Sequence, residues 1–143
     1  MNKKSTKLNK IYYFLYPGNI NTKTGGYIYA KNILQRAKEL NFNLKTIQLS
    51  GNYPFQKKND ISTLKNILDN LPNNSVLIFD GLVFETIDKV IGDLKKFKII
   101  ALIHHPLYLE FKNKLSKYFF KQAMQLYPKA NKIIVTSNET KNL

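Results

Sequence analysis

VLIFDGLVFETIDKVIGDLKKFKIIALI, residues Val76 to Ile103, contains two short apolar runs, Val76–Phe79 and Ile99–Ile103, on either side of a stretch with helical character over Phe84 to Lys95. Each run lacks the polar alternation of a half-exposed strand, so it reads as a strand buried on both faces of a parallel sheet. Strand, helix and strand in that order make a βαβ unit. Polar residues or glycine follow each strand: Asp80-Gly81 after the first, His104-His105-Pro106 after the second.

The same alternation extends in both directions. Toward the N terminus, Ile11–Tyr16 is an apolar run closed by Pro17-Gly18, and the loop GNINTKTGG leads into a helical stripe of Tyr27, Ala30, Ile33, Leu34, Ala37 and Leu40. Leu44–Leu49 alternates as a less buried strand. Asp60 is placed to cap a second helix bearing Ile61, Leu64, Ile67, Leu68 and Leu71, which Pro72-Asn73-Asn74 closes. Toward the C terminus, Leu115, Tyr118, Phe119, Gln122 and Leu126 mark a longer helix, and Lys132–Ser137 reads as a further strand. Thr136 and Glu139 have the spacing of a capping box that opens another helix.

The expected fold class is therefore α/β, a doubly wound, Rossmann-like parallel sheet with helices on both faces and central strands at 11–16, 76–79, 99–103 and 132–136. Antiparallel pairing among these strands would contradict it. Ligands of such sheets bind outside the carboxyl ends of the strands. The informative positions are then Gly25-Gly26, Asp80-Gly81, His104-His105 and Thr136-Ser137, and the glycine pair, Asp80 and the histidines are expected to line one cleft.

Composition narrows the class. With 143 residues, 43% of them hydrophobic, the chain is long enough for one domain with a real core. It contains no cysteine, which excludes disulfides and thiolate metal sites. Residues 1–10, MNKKSTKLNK, read as a basic flexible tail, and the apolar run after them is shorter than the roughly 7–15 residues of a signal-peptide core. No stretch approaches the about 20 apolar residues of a membrane span. The formal charge of +14 makes an anionic partner plausible, although a generally basic, solvated surface accounts for it equally well.

Each site motif has a functional and a plain reading. Gly25-Gly26 allows close backbone approach and exposes helix-start N–H groups to an anion such as phosphate, or it is a tight turn. It is neither a dinucleotide fingerprint nor a P-loop, since GxGxxG and GK[ST] are both absent. His104 and His105, the two histidines of the chain, stand after a buried strand with Pro106 stiffening the turn; they either exchange protons near neutral pH or are ordinary turn residues. No metal is expected, because adjacent side chains diverge and no third histidine or cysteine completes a set. Asp80 reaches a ligand or caps the turn at Gly81, the cap being favoured, and Glu110 pairs with lysines or faces an acceptor. GxSxG is absent, which removes support for a serine hydrolase. In the helix after HHPL, Tyr118, Phe119 and Phe120 lie next to Lys112, Lys114, Lys117 and Lys121; this is either an amphipathic core helix or a face that adsorbs to an anionic membrane.

In the order GGYIYAKNIL, FDGL, ALIHHPLYLE and KANKIIVTSNETKNL, these segments resemble the amino-terminal domain of family 4 glycosyltransferases of the GT-B fold, over almost all of the chain beyond the tail. The resemblance implies a retaining, nucleotide-sugar-dependent glycosyltransferase domain, residues 11–143, that transfers a hexosyl group to a glycan or lipid acceptor. Gly25 and Gly26 take the place beside the donor diphosphate. His105, or His104 in the alternative register, takes the place of the residue touching the sugar near the reacting centre. Asp80, Thr136 and Ser137 become cleft-lining elements. The family's second domain, which supplies the cations for the leaving diphosphate, has no counterpart in this sequence, so the resemblance implies a truncated chain, probed alone, with weak donor binding and no measurable transfer.

The implied partners are the nucleotide sugar, a glycan or lipid-linked acceptor, an anionic membrane surface and a separate chain carrying the second domain. No cofactor or nucleic acid is implied, and the implied location is the cytoplasm, peripheral at the inner face of the membrane. The competing reading is a non-catalytic basic α/β module for a lipid headgroup or nucleic acid, which leaves GGYIY and HHPL unexplained.

Overall fold

A computed structural model describes residues 10–142; of the basic tail assigned to residues 1–10, all but Lys10 lies outside the described residues. Five strands form one sheet in the order β2-β1-β3-β4-β5, where β1 is Tyr12–Pro17, β2 Leu44–Leu49, β3 Val76–Asp80, β4 Lys98–Ile103 and β5 Lys132–Val135. Every pairing is parallel. The helices are α1 (Gly25–Glu39), α2 (Lys58–Asn70), α3 (Gly81–Phe84), α4 (Leu107–Glu110), α5 (Asn113–Leu126) and α6 (Asn138–Lys141), with 3₁₀ helices at Asp88–Lys96 and Tyr127–Lys129.

Successive strand residues point to opposite faces, and this splits the core in two. Tyr13, Leu15, Leu77, Phe79, Ile99, Ala101 and Ile103 pack with Leu64 and Leu68 of α2, Val90 and Leu94 of the first 3₁₀ helix and Leu126 of α5. Phe14, Tyr16 and Leu102 pack on the other face with Ala30, Ile33 and Leu34 of α1. The doubly wound α/β class is thereby realised, with α1 on one face and the larger cluster of α2 and α5 on the other.

The strand expected at 132–136 is β5 at the edge of the sheet rather than a central strand, and three local readings are also corrected. The stretch Phe84–Lys95 is not one helix: α3 ends at Phe84 and a 3₁₀ helix follows from Asp88, with the hydroxyl of Thr86 donating to the carbonyls of Leu82 (3.1 Å) and Val83 (3.0 Å) in between. A threonine hydroxyl that occupies backbone acceptors bends or ends a helix. Asp60 is the third residue of α2 rather than its cap; its carboxylate reaches back to accept from the Lys57 N–H at 2.7 Å. The cap of α6 is Ser137, whose hydroxyl accepts from the Thr140 N–H at 3.1 Å, one residue later than the Thr136–Glu139 spacing implied.

β1 lies between β2 and β3, so the chain winds one way from β1 to β2 and the other way from β3 onward. This reversal leaves a crevice outside the carboxyl ends of β1 and β3, which is where ligands of open α/β sheets bind.

Candidate functional site

A cleft of about 300 Å³ opens at that crevice. Thr24, Gly26 and Tyr27 line it from the segment after β1, Asp80 to Leu82 from the end of β3, and His104, His105 and Glu110 from the segment after β4. None of these residues is lysine or arginine, and two are carboxylates. On a chain of net charge +14 the cleft is a local inversion of charge.

Thr24 starts the site. Its extended backbone and hydroxyl, which accepts from the Tyr27 N–H at 3.5 Å, cap α1 and make Gly25 and Gly26 the first two residues of that helix. With the Tyr27 and Ile28 N–H groups taken by Thr24, the N–H groups of Gly25 and Gly26 are the first-turn donors without an acceptor in their own helix. The glycines are not a left-handed turn: among the glycines only Gly18 has a positive φ, of 65°. A Cβ at Gly25 would meet no atom within 4 Å, whereas one at Gly26 would lie 3.5 Å from Cδ2 of His104. Gly25 borders the cleft without being among its lining residues.

Asp80 takes the capping role and also faces His104. One carboxylate oxygen, Oδ1, accepts from the Leu82 N–H at 3.0 Å and caps α3. The other, Oδ2, lies 3.6 Å from Nε2 of His104, within range for charge attraction but too long for a hydrogen bond. The Asp80 side chain is only 9% exposed and that of His104 21%. Gly81 permits this approach of two strand ends, since a Cβ there would lie 3.2 Å from the Leu102 carbonyl.

His104, rather than His105, is the histidine held in a defined geometry. Tyr29 stands edge-on to its ring at 5.3 Å, and its Nε2 is buried without a hydrogen-bond partner among the described residues. His105 is exposed at the cleft edge. Thr136 and Ser137 do not line the cleft. Thr136 Oγ1 donates to the His104 carbonyl at 3.4 Å and Thr140 Oγ1 does so at 3.1 Å, so this segment fastens the histidine turn from behind, and Ser137 serves α6 as cap.

Two participants escaped the sequence reading. Tyr27, counted there as a core residue, lines the cleft and donates its hydroxyl to the Pro17 carbonyl; burial, and then the charge of Asp80, push its pKa up. Glu85 is completely buried just behind the site. Its carboxylate accepts from the Leu107 N–H at 3.1 Å and from the Tyr127 hydroxyl at 2.6 Å. Burial raises its pKa to about 7 against the lowering effect of those two bonds. The only signal for it in the sequence is a carboxylate inside the apolar stretch LVFETI.

The chain matches no protein-family profile and no curated protein sequence. Assignment of a function therefore rests on the cleft and its residues.

Chemically, the cleft offers acceptors at Asp80 and Glu110, an imidazole at His104, and N–H groups at the start of α1. Carboxylates accept from hydroxyl groups, and an imidazole both donates and accepts, so the lining suits a polyhydroxylated group better than a phosphate. Among the described residues no cluster of three or more histidine, aspartate or glutamate side chains stands ready for a metal ion.

Proposed function

We propose that this chain is the acceptor-side half of a GT-B glycosyltransferase, in which the cleft holds the hexosyl group and α1 presents its first N–H groups to the donor diphosphate. The observation that carries the reading is the convergence of Gly26, Asp80 and His104 on one crevice at the reversal of strand order, in a lining free of lysine and arginine. A sugar is uncharged and rich in hydroxyls, which the carboxylates of Asp80 and Glu110 accept. His104, with Nε2 lacking an internal partner, is the group that touches the sugar near its reacting carbon.

Neutralising the leaving diphosphate requires cations, and the lining supplies none. In this reading a second α/β domain, on this or another chain, brings them, and retaining transfer takes place between the two. Donor binding by these residues alone is correspondingly weak. The acceptor is a glycan or a lipid-linked sugar, and the lysine-rich α5 holds the domain at an anionic membrane surface from the cytoplasmic side. Leu115, Tyr118 and Phe120 of α5 are exposed beside Lys114, Lys117 and Lys121, while Phe119 is buried.

Titrating the ¹⁵N-labelled chain with UDP-glucose, and separately with UDP and glucose, tests the proposal. Millimolar-range binding that shifts the amides of Gly25 and Gly26 and the ring of His104, and that is lost in His104→Ala, is expected. Shifts confined to surface lysine regions, or tight binding by calorimetry that His104→Ala leaves intact, would overturn it.

A further inference from the structure

Glu85 belongs to no part of the cleft lining, yet it is the best-connected carboxylate behind it. It caps the C-terminal end of α3, is fully buried, and joins three segments that are far apart in sequence. Oε2 accepts from the N–H of Leu107, the first residue of α4, and Oε1 accepts from the hydroxyl of Tyr127, whose ring stacks on Phe84 at 6.4 Å. The 2.6 Å contact is short for an O–H···O bond, and an ionised carboxylate accepts such a bond most strongly. Leu107 is three residues beyond His104, and the intervening Pro106 is buried. The histidine turn is thus fastened twice: at the His104 carbonyl by Thr136 and Thr140, and at the Leu107 N–H by Glu85.

We propose that Glu85 is a positioning residue: its carboxylate ties the turn that presents His104 and His105 to the end of α5, and its proton occupancy sets how firmly that turn is held. The importance of the turn rests on the functional reading above, but the tie does not. A proton on Oε2 would set an O–H against the Leu107 N–H. A proton on Oε1 would reverse the bond to Tyr127 and leave the phenol proton without its acceptor. The first removes the acceptor of the Leu107 N–H, and the second replaces a charge-assisted bond to Tyr127 by a neutral one, so either way the hold on the turn weakens.

The groups that act on this proton are known. Tyr127 and the Leu107 N–H favour the ionised carboxylate; burial, Glu110 on α4 and Asp80 at the end of β3 disfavour it, and Tyr108 adds to the charge around Tyr127. The balance lies at about 7, so both forms are populated near neutrality.

The test uses the ¹³C,¹⁵N-labelled chain without sugar or nucleotide, so that it is independent of ligand binding. The Glu85 side-chain carboxyl, the Leu107 and Gly26 amides and the His104 ring are followed by NMR between about pH 5 and pH 9, in wild type and in Glu85→Gln. Glutamine keeps one acceptor for Leu107 and one group for Tyr127 but does not titrate, and both histidines are unchanged in it. The expected result is a step near neutrality in the Glu85 carboxyl that Leu107, Gly26 and His104 share, and that is missing from all three in the variant. Tyr127→Phe, which removes one bond to the ionised form, is expected to move the step to higher pH. A Glu85 carboxyl that titrates in the ordinary carboxylate range would overturn the proposal. So would a step at Leu107 that leaves Gly26 and His104 identical in wild type and Glu85→Gln, since Glu85 would then be a core residue only. If UDP-glucose fails to bind while the shared step is present, the functional reading falls and the positioning role stands.

Discussion

Asp80 and His104 come from the ends of neighbouring strands and meet with Oδ2 and Nε2 3.6 Å apart, although 24 positions separate them in the sequence. The same carboxylate caps α3 through its other oxygen. Its two jobs are separable by mutation. Asp80→Asn retains an acceptor for the Leu82 N–H but loses the charge, and Asp80→Ala loses both. Urea denaturation is expected to show a loss of about 1 kcal/mol for the alanine variant, typical of a deleted helix cap, and a smaller loss for asparagine. Hexose-induced shifts at His104 should weaken in both. Equal stability of all three chains would remove the cap from consideration.

Stability should fall as pH rises through neutrality, owing to Glu85. Its pKa is raised from 4.5 to about 7 on folding, so between those values the folded chain binds more protons than the unfolded one. The contribution is fully present below about pH 4.5 and lost by pH 8, with an upper magnitude of about 3 kcal/mol at 1.36 kcal/mol per pKa unit. The difference in unfolding free energy between wild type and Glu85→Gln, measured across that window, isolates this group from the other carboxylates. A difference that does not change with pH would show an ordinary carboxyl.

The three glycines around the cleft should respond differently to a methyl group. Gly81→Ala places Cβ 3.2 Å from the Leu102 carbonyl, a backbone atom that cannot step aside, and is expected to cost about 1–3 kcal/mol in thermal or urea unfolding. Gly25→Ala points into open space and should leave stability unchanged or slightly improved while weakening nucleotide-sugar binding. Gly26→Ala makes ordinary contact with His104 at 3.5 Å, so its effect should appear in the His104 ring signals more than in stability. A destabilised Gly25→Ala would contradict the open approach to α1.

Adsorption to anionic vesicles should be reversible and sensitive to salt. Residues 111–143 contain seven lysines against the single acidic residue Glu139, and Tyr118 and Phe120 of α5 are each about half exposed beside them. Each well-placed lysine is worth about 1 kcal/mol at an anionic leaflet and is screened beyond a Debye length. Co-sedimentation with phosphatidylserine-containing liposomes should decline steeply with added salt, and again when Lys114, Lys117 and Lys121 are changed to glutamate. Equal pelleting with neutral and anionic vesicles, or none with either, would return α5 to a plain solvated face.

Element identity was legible in the sequence because it depends on local periodicity. The runs Ile11–Tyr16, Val76–Phe79 and Ile99–Ile103 have no polar face, and a segment without a polar face must be covered on both sides, which a parallel α/β sheet provides. From that class alone followed the edge at which Gly26, Asp80 and His104 would gather, since every parallel strand delivers its following residue to the same side. Other properties depend on neighbours distant in sequence, and only the tertiary structure decided them. The strand order set β1 between β2 and β3 and so located the crevice. That the His104 ring is enclosed by the ends of α1 and β3, while His105 stays exposed, is a property of the fold. Thr136 turned from a lining residue into a fastening because β5 lies beside β4 and brings its hydroxyl to the His104 carbonyl. Glu85 had no periodic signature at all: a buried carboxylate is tolerated only where donors from elsewhere meet it, and Leu107 and Tyr127 reach it through the fold, 22 and 42 residues along the chain.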